Sequence, residues 1–128
     1  MTNKRIRTRT SEFYIEDGIL KGYIHLENAE QTLEDAIEIF DEIERVCEGR
    51  AYPMLSDVRK SRGLTRDARE YFAGERAARC IRAAAIIIGS PVTRVLANFL
   101  IQISKPKFPT QMFVDEELAL AWLEQFVE

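Results

Sequence analysis

The sequence predicts a single α/β domain built on a mixed β-sheet, and three observations carry that prediction. Two alternating segments flank Asp17-Gly18, a pair that supplies the positive φ angles of a tight hairpin turn. From Leu33 onward, segments at helical spacing alternate with strand-like segments up to the C-terminus. Ala83 to Ile88 is an uninterrupted apolar run, as a central strand covered on both faces requires.

The elements follow in order. Residues 5–16 read as one strand, with Phe13 and Ile15 facing one way and Glu12, Tyr14 and Glu16 the other. After the hairpin turn, Ile19 to Leu26 returns as a second strand; Leu20, Ile24 and Leu26 share one face, and Lys21, Tyr23 and His25 the other. Thr32 fits a helix N-cap, with Asp35 three residues on. Leu33, Ala36, Ile37, Phe40, Ile43 and Cys47 then form an apolar stripe, and Gly49 ends the helix. Ala51 to Asp57 is a short strand leading into a polar loop, Val58 to Leu64. A second helix starts at Thr65 and carries Ala68, Tyr71, Phe72 and Ala77, with Gly74 as a break or kink. Ser90 at N-cap and Pro91 at the first helical position open a third helix reaching Ser104, which Lys105-Pro106-Lys107-Phe108-Pro109 ends. Thr110 to Val114 is the last strand. Asp115 caps the last helix, with Glu116 and Glu117 at its positive end and Leu118, Trp122, Leu123 and Phe126 burying it. The order is β-β-α-β-α-β-α-β-α, about five strands and four main helices.

Composition narrows the function classes. The 128 residues suit one domain, and 46% hydrophobic with 30% charged residues is ordinary globular usage. Met1-Thr2-Asn3-Lys4-Arg5 is basic, but no apolar segment follows it, so no signal peptide is expected. The apolar run at Ala83 is far shorter than the ~20 residues that span a bilayer, so no membrane span is expected and the cytoplasm is the default location. Cys47 and Cys80 sit among apolar residues at helical spacing and read as buried, reduced thiols. One histidine and no Cys-x-x-Cys give no zinc site, and no cofactor or metal is expected.

Net charge is only −3, but its distribution is uneven. Residues 12–48 carry twelve acids against Lys21 and Arg45, whereas residues 59–82 carry eight bases against three acids. Such polarity bears on partners and assembly. Nucleic acid is not an expected partner: the chain is acidic overall, and Tyr71 and Phe72 fit a core stripe better than a stacking platform.

Several phrases resemble the SpoIIAA-like (STAS-like) bacterial domains. They are Asp57-Val58-Arg59 closing the third strand, Gly89-Ser90-Pro91 opening the third helix, and Phe113-Val114-Asp115-Glu116-Glu117 with Ala121-Trp122-Leu123 at the end. Ala68-Arg69-Glu70-Tyr71-Phe72, Ala97-Asn98-Phe99 and Lys105 to Pro109 are similar to an uncharacterised branch of that group. The resemblance spans almost the whole chain and implies a SpoIIAA-like fold. For function it implies more than one class: some STAS domains are anti-sigma-factor antagonists switched by a serine in an aspartate-serine-serine-glycine-leucine motif, and other relatives resemble lipid-binding or nucleotide-binding modules. Ser61, followed by Arg62, Gly63 and Leu64, is the nearest match, but Lys60 stands where the motif has aspartate and Arg62 where it has the second serine.

Two regions are candidate surfaces. Ser56, Asp57, Arg59, Ser61, Arg62, Thr65 and Arg66 lie where a strand end meets a helix N-terminus, the usual place for ligands in open α/β sheets and a natural anion site. The other reading makes these cations a solvated face, or partners of the acidic first helix in the same or a neighbouring molecule. Asp57 has no second carboxylate or histidine nearby in sequence and is expected to pair with Arg59 or a backbone N–H. His25 shares a strand face with Lys21 and Tyr23 and reads as a half-exposed surface histidine; no nucleophile motif accompanies it. The third helix is apolar nearly all round, so either the domain covers it or Val92, Ala97 and Ile101 meet a partner, with Asn98 and Gln102 hydrogen-bonding across the interface. The reading that follows is a non-enzymatic regulatory or protein-interaction module that forms a homodimer or meets another protein. The alternative is a small domain holding an anionic or lipid-like ligand between residues 56–66 and the third helix.

Overall fold

The computed structural model describes residues 5–90 and 105–128. Six strands form one mixed sheet: β1 (Ile6–Arg7), β2 (Ser11–Glu16), β3 (Ile19–Ile24), β5 (Tyr52–Asp57), β7 (Ile81–Ile87) and β8 (Thr110–Phe113), side by side in that order. β1, β2 and β3 are antiparallel neighbours; β3, β5, β7 and β8 run parallel. A separate two-stranded parallel ribbon joins β4 (Ala29–Gln31) to β6 (Ser61–Leu64). The described helices are α1 (Leu33–Cys47), α2 (Arg66–Phe72), α3 (Glu75–Cys80) and α4 (Glu116–Glu124). The helix expected from Pro91, with the candidate interface residues Val92, Ala97, Asn98, Ile101 and Gln102, lies outside the described residues.

The hairpin forms as its residues dictate. Asp17 and Gly18 take φ of 56° and 77°, and Ile15 pairs with Leu20 across the turn. The segment 5–16 is two strands rather than one. At Thr8 the chain folds back, because the Ser11 N–H donates to Thr8 Oγ1 at 3.1 Å while the Thr8 N–H donates to the Ser11 carbonyl at 2.8 Å. A hydroxyl that satisfies backbone groups locally offers an alternative to the ladder. Leu26 departs from the expected face: β3 stops at Ile24, and Leu26 is exposed beyond it.

Helix α1 carries a complete capping box. Thr32 Oγ1 accepts the Asp35 N–H, and the Asp35 carboxylate accepts the Thr32 N–H at 2.9 Å. Glu48, not Gly49, takes the C-cap position, in the left-handed region with Gly49 following at φ 83°. The buried face is Ala36, Ile39, Phe40, Ile43 and Cys47; Ile39 takes the place expected for Ile37, which is exposed. At its break Gly74 separates α2 from α3, and a Cβ there would stand 3.3 Å from the Glu70 carbonyl oxygen.

Two apolar layers sandwich the sheet. On one face, Phe13, Leu20 and Ala84 pack with Phe40, Ile43, Cys47 and Cys80 of α1 and α3. On the other, Ile19, Leu55, Ala83, Ala85 and Ile87 pack with Ala119 and Leu123 of α4. β7 therefore feeds both layers, as its apolar run requires. Leu118, expected to bury α4, points outward with 63% of its surface exposed; Ala119 takes its place. Among the described residues no helix is long and apolar enough to cross a membrane.

Candidate functional site

The segment from Ser56 to Arg66 rises at the carboxyl end of β5, but it is not the loop expected from its polarity. Val58 to Ser61 makes a turn closed by the Ser61 N–H on the Val58 carbonyl at 2.9 Å. Ser61 to Leu64 then pairs with β4, where alternate polar side chains leave the pattern too short and too hydrophilic to announce a strand. The Thr65 N–H completes the ribbon on the Gln31 carbonyl at 3.0 Å, and the Asn28 N–H reaches the Lys60 carbonyl at 2.8 Å.

Each predicted residue has a definite place there. Ser56 is half-buried within β5, between Gly22 of β3 and Ile86 of β7. Asp57 closes the strand and grips Arg59 three ways: Oδ1 accepts the Arg59 N–H at 3.1 Å and Nε–H at 2.9 Å, and Oδ2 accepts from Nη2 at 2.5 Å. Burial pushes the Asp57 carboxyl up, but the Arg59 hydrogen bonds and charge outweigh it and hold the group below the usual range. Ser61 Oγ lies between the carbonyls of Ala29 (3.2 Å) and Gly63 (3.3 Å) and accepts the Gly63 N–H at 2.9 Å. Thr65 caps α2 through the Ala68 N–H, and the Asp67 carboxylate accepts the same N–H at 2.9 Å. The end of α2 thus already holds a negative group from its own chain. Arg62 lies 3.9 Å from Glu30, Lys60 3.7 Å from Glu27 and Arg66 3.3 Å from Glu70.

The acidic and basic stretches meet elsewhere as well. Arg76 of α3 reaches back to α1, with Nη2 2.7 Å from Asp41 and 2.8 Å from Glu44, and its Nη1 donates to the Tyr71 hydroxyl at 2.8 Å. These bonds raise the Arg76 guanidinium above its ordinary value, Glu44 contributing most.

Sequence spacing did not point to the polar knot at the start of α1. Arg9, in the turn between β1 and β2, donates through Nε and Nη2 to both oxygens of the buried Asp35 at 2.7 and 2.6 Å. The Arg9 bond first, and Thr32 after it, bring the Asp35 carboxyl down to about 2 against the opposing effect of burial. Thr10, fully buried beside it, donates to Gln31 Oε1 at 2.9 Å and so ties the turn to β4. These partners are 21 and 26 residues apart, beyond any local pattern.

His25 is half-buried. Its Nε2 lies 3.0 Å from the Thr8 carbonyl, and Nδ1 lies 3.3 Å from Arg7. Cys47 and Cys80 are buried and free. Among the described residues no group of three or more histidine, cysteine, aspartate or glutamate side chains is placed to hold a metal.

This architecture is that of a SpoIIAA-like domain. It is similar to an uncharacterised protein of the DUF3478 family with a SpoIIAA-like fold from Shewanella loihica PV-4. The likeness has a TM-score of 0.58 and 17% identity and covers 95% of this chain and 92% of that one. The domain of unknown function DUF7793 matches residues 13–127, and the chain belongs to that family. A protein with unknown function from Arthrobacter sp. FB24 is 31% identical over 84% of this chain and 93% of that one, with a TM-score of 0.30. Among curated proteins, none matches.

Proposed function

We propose that the domain is a non-enzymatic protein-interaction module whose partner-facing surface is the rim formed by residues 57–66. One observation carries this reading: the rim spends its polar groups on its own shape and turns its guanidiniums outward. Asp57, Ser61 and Thr65 are committed to hydrogen bonds that set the turn, the ribbon and the helix cap. The Arg59, Arg62 and Arg66 side chains are 53%, 57% and 83% exposed. Exposed ion pairs such as Arg62–Glu30 and Arg66–Glu70 are worth about 0–1 kcal/mol, so a partner's carboxylates can replace them at little cost. Leu64, exposed between them, adds an apolar contact. The partner is a protein with an acidic face. The chain's own α1 presents Glu34, Glu38 and Asp41 to solvent, so a second copy is one such partner.

The test places a photo-crosslinking residue at position 64 in the native cells. A protein adduct of defined mass is expected, lost in the R62E/R66E variant while its circular dichroism is unchanged. An adduct of twice the chain mass identifies the partner as a second copy. Adducts that survive the charge reversal overturn the reading, as does the absence of any adduct. Retention of a small anion or lipid instead, seen by native mass spectrometry of the purified chain, supports the ligand-binding alternative.

A further inference from the structure

The opposite end of the parallel strands is built differently. Cys47 is the last residue of α1 and Cys80 the last of α3, and the chain then enters β5 at Tyr52 and β7 at Ile81. Between the two helix ends lies a pocket of about 290 Å³, lined by Glu44, Cys47, Gly49, Arg50, Arg79 and Cys80. The two thiols are buried and the two arginines exposed, so the thiols form the floor and the guanidiniums the mouth.

Charge there is not balanced. Glu44, the one carboxylate in the lining, is occupied by Arg76, whose Nε and Nη2 donate to its two oxygens at 2.9 and 2.8 Å. Arg50 lies over the Tyr52 ring, 5.5 Å from its centroid. Among the described residues neither Arg50 nor Arg79 has a carboxylate within 4.0 Å. Nor are their side chains needed to cap the helices. The Glu44 and Cys47 carbonyls accept the N–H groups of Glu48 (3.1 Å) and Arg50 (3.0 Å), and the Ala77 carbonyl accepts that of Ile81. Burial pushes the Cys47 thiol up to about 11, with Cys80 moved in the same direction, so the floor is uncharged and polarisable near neutral pH.

We propose that this pocket binds a small organic anion, its carboxylate or phosphate monoester bridging Arg50 and Arg79 and its apolar body resting on Cys47 and Cys80. Guanidinium forks suit such oxygens, and paired charge-assisted hydrogen bonds fix their orientation. The site lies at the far end of the sheet from the 57–66 rim and is independent of the interaction reading.

The experiment is an amide chemical-shift titration of the folded chain with phenyl phosphate, benzyl alcohol and inorganic phosphate. Saturable shifts at Gly49, Arg50, Arg79 and Cys80 are expected with phenyl phosphate. Benzyl alcohol and inorganic phosphate should each bind about tenfold more weakly, since each lacks half of the recognition. Arg50→Gln with Arg79→Gln should weaken phenyl phosphate binding by about tenfold or more while shifts elsewhere in the spectrum stay unchanged. The proposal is overturned if phenyl phosphate causes no shifts at these four amides. It is equally overturned if binding survives the double substitution, or if inorganic phosphate or benzyl alcohol binds as tightly as phenyl phosphate.

Discussion

At the carboxyl end of β5, Asp57 holds Arg59 through three hydrogen bonds; at the amino end, Arg50 lies over the ring of Tyr52 with no carboxylate among the described residues within 4.0 Å. The same contrast runs through the neighbouring residues. Arg9 is locked on Asp35 near the first end, whereas Arg79 borders an open pocket at the second. The first end spends Arg9 and Arg59 on architecture; the second holds Arg82 on the Ala51 and Phe126 carbonyls but, among the described residues, gives Arg50 and Arg79 no carboxylate. Position in the chain does not separate these roles, since Arg59 and Arg79 both belong to the basic stretch. What separates them is whether a carboxylate is held within reach by the backbone.

That contrast can be broken most severely at the centre. Phe40 is fully buried and meets the rings of Tyr71 and Phe72 at 60° and 54°, with centroids 6.0 and 5.6 Å away, so it ties α1 to α2. Phe40→Ala is expected to cost about 3–5 kcal/mol, with α1 and α2 losing order together in urea unfolding followed by circular dichroism. Ser61→Asp comes next and acts at the carboxyl end alone. It sets a carboxylate against the Ala29 and Gly63 carbonyls, and about 1–3 kcal/mol of destabilisation with selective loss of amide protection at Asn28 and Thr65 is expected.

Asp35→Asn separates the ends by pH. The folded carboxyl sits at about 2 against an ordinary 3.8, so its contribution is present above about pH 4 and is lost as pH falls toward about 2. Solvent on the Arg9 side limits that contribution to about 1–2 kcal/mol. Wild type should therefore exceed the variant in stability at neutral pH, and the gap should close on acidification; a gap independent of pH would break the comparison. The smallest effect belongs to the amino end. Arg79→Gln should leave the stability within about 0.5 kcal/mol of wild type in thermal unfolding, because among the described residues its side chain makes no hydrogen bond or ion pair.

The parts of the fold written in local chemistry were legible. Asp17-Gly18 declares its turn, Thr32 with Asp35 its cap, Asp115 its helix start and Ala83 to Ile88 its double-sided burial. What failed was set by partners distant in sequence. Ala29–Gln31 and Ser61–Leu64 are polar and three or four residues long, and they become strands only because each finds the other. Ile37 and Ile39 both suit the apolar face of α1, and only the direction from which the sheet approaches chooses Ile39. The candidate site was legible in membership but not in shape. Residues 56–66 do gather at a strand end, yet nothing local reveals that Ser61 is threaded into a ribbon. The pocket carried a weaker signal still, since Cys47 and Cys80 read only as two separate core thiols.

The β4–β6 ribbon also has a kinetic consequence. The Ser61 hydroxyl and the Ala29 carbonyl it meets are 32 residues apart, with all of α1 and β5 between them. Closing so long a loop for so few hydrogen bonds is favourable only after those elements have docked. The ribbon is therefore a late arrival in folding and an early departure in the native state. Its amides are expected to exchange with solvent through local opening, well below the free energy of global unfolding, in a native-state hydrogen-exchange measurement. A ribbon that opens in this way changes the shape of one rim of the domain while the sheet beneath it stays folded.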